Sequence, residues 1–321
     1  MRFWVDAWDP AYGTSADEEP LGASGTGTDP AVEVPPERWR PVPPRPVPLP
    51  RAVHFVDGVR RVDAHVWIQA ADGPMAGIAA SYAAGVVTCR AGEARVDGVD
   101  VRRGLFTPAP GVPDLRLAFG PGPGSGPGSG TVTYEVQKTD ADDDLRLSNA
   151  VQAAMADAEA ECALRARAGV DDLLVLDGPL GQRGQLARVL GLVKTHRSRY
   201  LEPPLHALVA ELRPAERTPV FRLGADWPRC SWYLRLPCRP GAPWAGVVRV
   251  ECPDLPPAAA VELAALSQAV LPRFASTEHK DQRAPQNLVP IGGLEKLLRH
   301  RLGDRLLLDR ALRRAAALAP A

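Results

Sequence analysis

Leu173-Leu174-Val175-Leu176-Asp177-Gly178 is four apolar residues without alternation, then a carboxylate, then glycine. A strand apolar on both sides belongs inside a sheet covered by helices on its two faces. The same plan recurs upstream at Val53-His54-Phe55-Val56-Asp57-Gly58. Two buried strands that each end on aspartate predict a sheet whose edge opens into a crevice carrying paired acids.

Working outward, Val62, Ala64, Val66 and Ile68 alternate, extending the first strand or forming a second. Further β segments are expected within Ala76–Cys89, around Arg95–Phe106, at Thr131–Lys138, Cys230–Leu236 and Trp244–Cys252, with an apolar stretch at Leu186–Val193. Leu145–Ala168 reads as the clearest helix, because Leu147, Val151, Ala154, Met155, Ala158 and Cys162 recur at helical spacing. Val261–Val270 and Leu294–Leu318 also read as helices. Strands first, then mixed elements, then helices imply an α/β fold built on a mixed sheet flanked by helices. Residues 1–50 are rich in proline, glycine and acids and end in Pro41-Val42-Pro43-Pro44-Arg45-Pro46-Val47-Pro48-Leu49-Pro50. That composition favours an extended, poorly ordered arm, or a segment wrapped on its own domain, before one domain over 51–321. Gly120–Gly130, a run of glycine, proline and serine, reads as a loop.

Carboxylates at the ends of neighbouring strands suit Mn²⁺ or Mg²⁺, which prefer oxygen ligands. Aspartate–glycine is also a common turn signal, and Asp72-Gly73 and Asp97-Gly98, which lack an apolar run before them, read as turns. On the long helix, at about 100° per residue, Glu161 falls beside Ala158 on the face shared with Ala154 and Val151. Glu159 points to the other side, so Glu161 is the expected third acid. Near the C-terminus, Glu295 borders the stripe of Ile291, Leu294, Leu298 and Leu302, and His279 precedes it on a loop with Asp281. Lys194 opens a cationic cluster with His196, Arg197 and Arg199, suited to phosphates or to a solvated loop.

Taken together, the chain resembles the NurA family of nucleases. The pieces that carry the resemblance are Phe55-Val56-Asp57-Gly58, the helix bearing Glu161, Leu174-Val175-Leu176-Asp177-Gly178-Pro179-Leu180 and Gly191-Leu192-Val193-Lys194. Later come Trp232–Leu236, Val248–Glu251 and Pro285-Gln286-Asn287-Leu288-Val289-Pro290 before a helix. The resemblance implies a ribonuclease-H-like fold, a homodimer, digestion of DNA ends with manganese in double-strand-break repair, and a HerA-like hexameric ATPase as partner. It implies that Asp57, Glu161 and Asp177 match the family's metal acids, with Glu295 or His279 in the fourth place. Lys194 would offset developing charge on phosphate, and Arg197 and Arg199 would contact DNA. The rival readings are a non-catalytic ribonuclease-H-like module that binds DNA or a partner ATPase, and an adaptor working through the Pro-rich arm.

Bulk composition narrows the field. Hydrophobic residues at 45% and charged residues at 24% describe an ordinary globular chain. No run approaches the ~20 apolar residues of a membrane span, and Met1–Asp6 lacks a secretory start. Five scattered cysteines without a CxxC pair speak against a disulfide framework or zinc ribbon and fit a cytoplasmic protein. With 38 basic and 38 acidic residues the net charge is zero, which is unlike most nucleic-acid binders. Cations must therefore be concentrated locally if DNA is the substrate.

Overall fold

A computed structural model describes residues 22–23, 25–71, 73–119, 130–141, 143–167, 169, 171–224, 227–239 and 241–318. The first 21 residues of the expected arm, Asp72, and residues 120–129 of the expected loop lie outside the described residues. In chain order come β1 (Gly22–Ala23), β2 (Thr28–Asp29), β3 (Val53–Ala70), β4 (Gly73–Arg90) and β5 (Glu93–Thr107). Next are β6 (Leu115–Phe119), β7 (Gly130–Lys138), α1 (Asp144–Ala166), β8 (Leu173–Asp177), β9 (Val189–Val193) and β10 (Ser198–Arg199). The chain finishes with α2 (Pro203–Glu211), β11 (Phe221–Leu223), β12 (Arg229–Arg235), β13 (Val247–Pro253), α3 (Pro257–Val270), α4 (Val289–Arg301) and α5 (Arg305–Leu318).

These elements form two compact units. The first comprises the described part of Met1–Val56 with Val87–Arg95 and Ala166–Gly293; the second comprises Asp57–Val86, Val96–Arg165 and Leu294–Ala321. In the first unit the ladder runs β2-β11-β12-β13-β9-β8-β3. The strands β3, β8 and β9 are parallel neighbours, and β13 returns antiparallel against β9. Leu173–Leu176 are completely buried, as the unbroken apolar run predicts. Strand period 2 divides the side chains between two cores. Val53, Phe55, Leu173, Val175, Leu190, Leu192, Trp232, Val248 and Val250 pack with Leu263, Leu266 and Val270 of α3 and with Leu288 and Ile291. On the other face Phe221, Tyr233 and Val247 pack with Val209 and Leu205 of α2 and with Trp39. A mixed sheet with helices on both faces is thus the architecture of this unit.

The Pro-rich segment from residue 25 onward is part of that second core, not a poorly ordered arm. Trp39 is buried and its indole donates to the Pro30 carbonyl at 3.0 Å. Glu33 accepts from both terminal nitrogens of the buried Arg217, at 2.7 and 2.9 Å, and from the Val220 amide at 2.8 Å. Gln268 donates to the Val42 carbonyl at 2.9 Å. Prolines remove backbone donors, so side chains fasten the segment alongside the β2–β11 pairing and the Val42–Arg217 backbone bridge. Glu33→Ala is expected to cost about 2 kcal/mol, the scale of lost hydrogen bonds to a charged group, read as a shift of the urea midpoint.

In the second unit the order is β3-β4-β5-β7-β6, with β7 parallel to β5 and β6 antiparallel to β7. Ala311 and Leu312 of α5 cover Leu105, Leu117 and Tyr134. Asp97-Gly98 lies inside β5 and is not a turn. Its backbone passes so close that a Cβ on Gly85 would stand 2.9 Å from the Gly98 carbonyl oxygen, so small residues there serve strand packing. The helix expected over Leu294–Leu318 is two helices, because Gly303 takes the left-handed φ of +82° that ends α4.

Candidate active site

Parallel strands bring their carboxyl ends together, and open α/β sheets leave their crevices there. The β8–β9 register pairs Leu174 with Val189 and carries through to Asp177 opposite Leu192. Asp177 therefore closes β8 beside the last turns of β9, one residue beyond which stands Lys194. The Lys194 ammonium donates to Asp177 Oδ2 at 2.7 Å and to Asn287 Oδ1 at 2.9 Å. Asn287 in turn donates through Nδ2 to Asp281 Oδ2 at 2.8 Å. Lys194 and Asn287 are both buried. A Cβ on Gly292 would stand 2.7 Å from Asp281 Oδ2 and 3.0 Å from Asn287 Nδ2, so a side chain there would displace this pair.

Asp177 Oδ1 is buried and has no hydrogen-bond partner among the described residues. Buried polar atoms are almost always satisfied, and an exception calls for a water, an ion or a ligand. One oxygen of Asp177 is held by a lysine while the other meets no described donor.

The opposite face holds a second charged group. Glu251 is completely buried, with Oε1 accepting from Arg229 Nε at 2.7 Å and from Arg249 Nη1, and Oε2 from the Leu180 amide at 3.1 Å. Burial opposes its ionisation, but Arg249 and Arg229 outweigh this and hold its carboxyl below the usual range. The Leu180 contact fixes the turn that follows Asp177. Gly178 there has φ +84°, and a Cβ on Gly191 would meet the Gly178 carbonyl at 2.9 Å and the Leu180 amide nitrogen at 3.0 Å. Glu251 thus positions the Asp177 loop from behind.

No protein-family model and no curated protein matches this chain. Among solved structures it is similar to the NurA nuclease from Sulfolobus solfataricus, at 12% identity and a TM-score of 0.46, over 88% of this chain and 90% of that one. At that level of likeness the chemistry rests on the side chains themselves.

The other expected site residues sit on several elements. Asp57 is buried, and its Oδ1 accepts from the Gly58 amide at 2.8 Å. The β3–β8 ladder pairs Val56 with Leu176, and on each strand the next residue is an aspartate. On α1 the helix reading is corrected. Glu159, not Glu161, is buried, and its Oε1 stands 2.5 Å from where a Cβ on Gly58 would be. It follows Met155 by four residues, so it belongs to the stripe of Leu147, Val151 and Met155. Glu161 is half-exposed, at 2.5 Å from Arg102 and 3.5 Å from Arg165, and the Arg102 hydrogen bond lowers its pKa. Glu295 pairs with Arg299 at 2.8 Å, while His279 and Arg197 are exposed and Arg199 is half-buried in β10. Among the described residues no three His, Cys, Asp or Glu side chains group to hold a metal ion. Asn287 and Glu251 were missed as site residues. A glutamate in the otherwise apolar Val247–Cys252 run, two residues after an arginine, is a signal that could have found the second.

His196, expected in the cationic cluster, is instead buried, its Nε2 donating to the Val247 carbonyl at 3.1 Å. Burial pushes its pKa down to about 4. An unfolded histidine takes a proton near pH 6.5, so stability is full above that value and drains as pH falls toward 4. The loss is roughly 3 kcal/mol. His196→Phe is expected to flatten this part of a stability-versus-pH curve; an unchanged slope between pH 6.5 and 4 would contradict the assignment.

Proposed function

We propose that the chain is a divalent-cation-dependent deoxyribonuclease of the ribonuclease-H-like kind, resembling the NurA family and acting on DNA ends in double-strand-break repair. The observation that carries this reading is Asp177, with one oxygen on the buried Lys194 and the other buried without a partner. Mn²⁺ and Mg²⁺ sites commonly use only one or two carboxylates and complete their shells with water and substrate phosphate. The missing three-acid cluster is therefore compatible with such a site. Asp57 enters this reading from the sequence resemblance.

A cation held there supplies Lewis acidity and lowers the pKa of water. The protein's own part is orientation and charge. Asp177 anchors the site, and its loop is held by Glu251. Lys194, fixed by Asn287 and Asp281, has two donors committed and a third that can meet a phosphate oxygen. Arg197 and Arg199 extend the positive path along a strand of DNA. The homodimer and the HerA-like hexameric ATPase partner follow from the sequence resemblance.

The absence of a three-acid cluster among the described residues and the neutral net charge favour one alternative, a non-catalytic module that binds DNA or an ATPase. Manganese titration followed by thermal unfolding separates the two. A real site should raise stability by about 2.7 kcal/mol at a hundredfold excess over Kd, and Asp177→Asn should remove the gain. No shift in the wild-type protein selects the module.

A further inference from the structure

The parallel strands have a second end, away from Asp177 and Lys194. There, where Asp171 precedes β8 and Arg188 precedes β9, lies a cavity of about 750 Å³. Its size falls within the range of ligand sites. The floor is apolar, from Leu263 and Leu266 of α3, and one wall is the extended stretch Val47–Arg51. Three arginines, Arg45, Arg51 and Arg188, share the lining with two acids, Asp171 and Glu262.

Three features of this cavity go unused by the fold. Among the described residues, none of the three arginines pairs through its side chain, and neither acid pairs with them. Arg188 is the sharpest case: its Nε is buried without a partner, and its backbone has φ +47°, where glycine would sit without strain. Val47–Pro50, which line this wall, also make no backbone–backbone hydrogen bond among the described residues, so the amides of Val47 and Leu49 are not used by a ladder. Strained residues with idle polar groups concentrate at binding sites. Unpaired guanidinium groups match carboxylates, open extended backbone matches an extended chain, and an apolar floor matches aliphatic side chains.

We propose that this cavity receives an extended peptide segment of a partner protein in which apolar side chains alternate with carboxylates. The leucine-type side chains sit on Leu263 and Leu266, the carboxylates meet Arg45 and Arg188, and the peptide backbone pairs with Val47 and Leu49. The site is independent of the proposed cleavage chemistry, being at the other end of the strands.

Fluorescence anisotropy tests it with a labelled hexapeptide alternating glutamate and leucine, and with its glutamine–leucine counterpart. Saturable binding of the acidic peptide is expected, weaker by about tenfold or more for the glutamine peptide and for Arg45→Glu/Arg188→Glu. Arg188→Gly removes the strained side chain, so it should melt no lower than wild type yet bind the acidic peptide about tenfold less tightly. Asp177→Asn should bind like wild type, which keeps this result separate from the fate of the nuclease reading. Absence of saturable binding, equal binding by Arg188→Gly and wild type, or displacement of the peptide by linear DNA would overturn the proposal.

Discussion

Asp177→Asn is expected to reduce manganese-dependent DNA cleavage by about 10²–10³-fold or more, the scale of removing one group that stabilises a transition state. Asparagine keeps the shape of aspartate and can turn its amide oxygen to the place from which Lys194 now bonds. It loses the charge that a cation requires. The two effects can be told apart because Lys194, held also by Asn287 at 2.9 Å, retains a partner in the variant. Circular dichroism should therefore report an intact fold while cleavage disappears. Cleavage at the wild-type rate by a folded Asp177→Asn protein would remove this carboxylate from the chemistry.

Glu251→Ala should have the largest effect on stability. It strips a completely buried carboxylate from Arg249, from Arg229 and from the Leu180 amide at once. Removing one side of a buried ion pair costs about 3–5 kcal/mol, since the remaining charges are left without compensation. At roughly 2–4 °C per kcal/mol for a chain of this size, the melting temperature should fall by about 10 °C. The pH dependence has a definite sign. Arg249 and Arg229 hold the folded pKa below the unfolded one, so the contribution is complete above the ordinary glutamate range and is lost as pH falls through the folded value. Glu251→Gln should therefore narrow the stability difference from wild type on acidification. A gap that widened instead would mean the carboxylate is not held as a charge.

The parts of this molecule legible in its sequence were those where one local pattern decides. Leu173–Leu176 could only be an interior strand, and both faces of that strand are packed. The stripe on α1 fixed the helix but not its acids: Glu159 and Glu161 straddle a broad buried face, and a two-residue choice on a helix wheel turned on where the neighbouring strand runs. Gly98 carried a turn signal, yet its position is set by the approach of Gly85, a residue 13 positions away that no local reading includes. The Pro-rich segment read as an extended arm or as a segment wrapped on its own domain, because prolines cannot join a ladder. Its attachment depends on Glu33 meeting Arg217 across 184 positions. Asn287 was equally invisible, since an asparagine gains its meaning here only from contact with Lys194 and Asp281.

The most direct measurement is a time course of linear duplex DNA incubated with the purified wild-type chain and manganese, beside the same protein with a chelator and beside Asp57→Asn. The account predicts shortening DNA in the first reaction and intact DNA in the other two. Intact DNA throughout, or equal degradation by wild type and Asp57→Asn, would contradict a cation-dependent cleavage centre that includes Asp57.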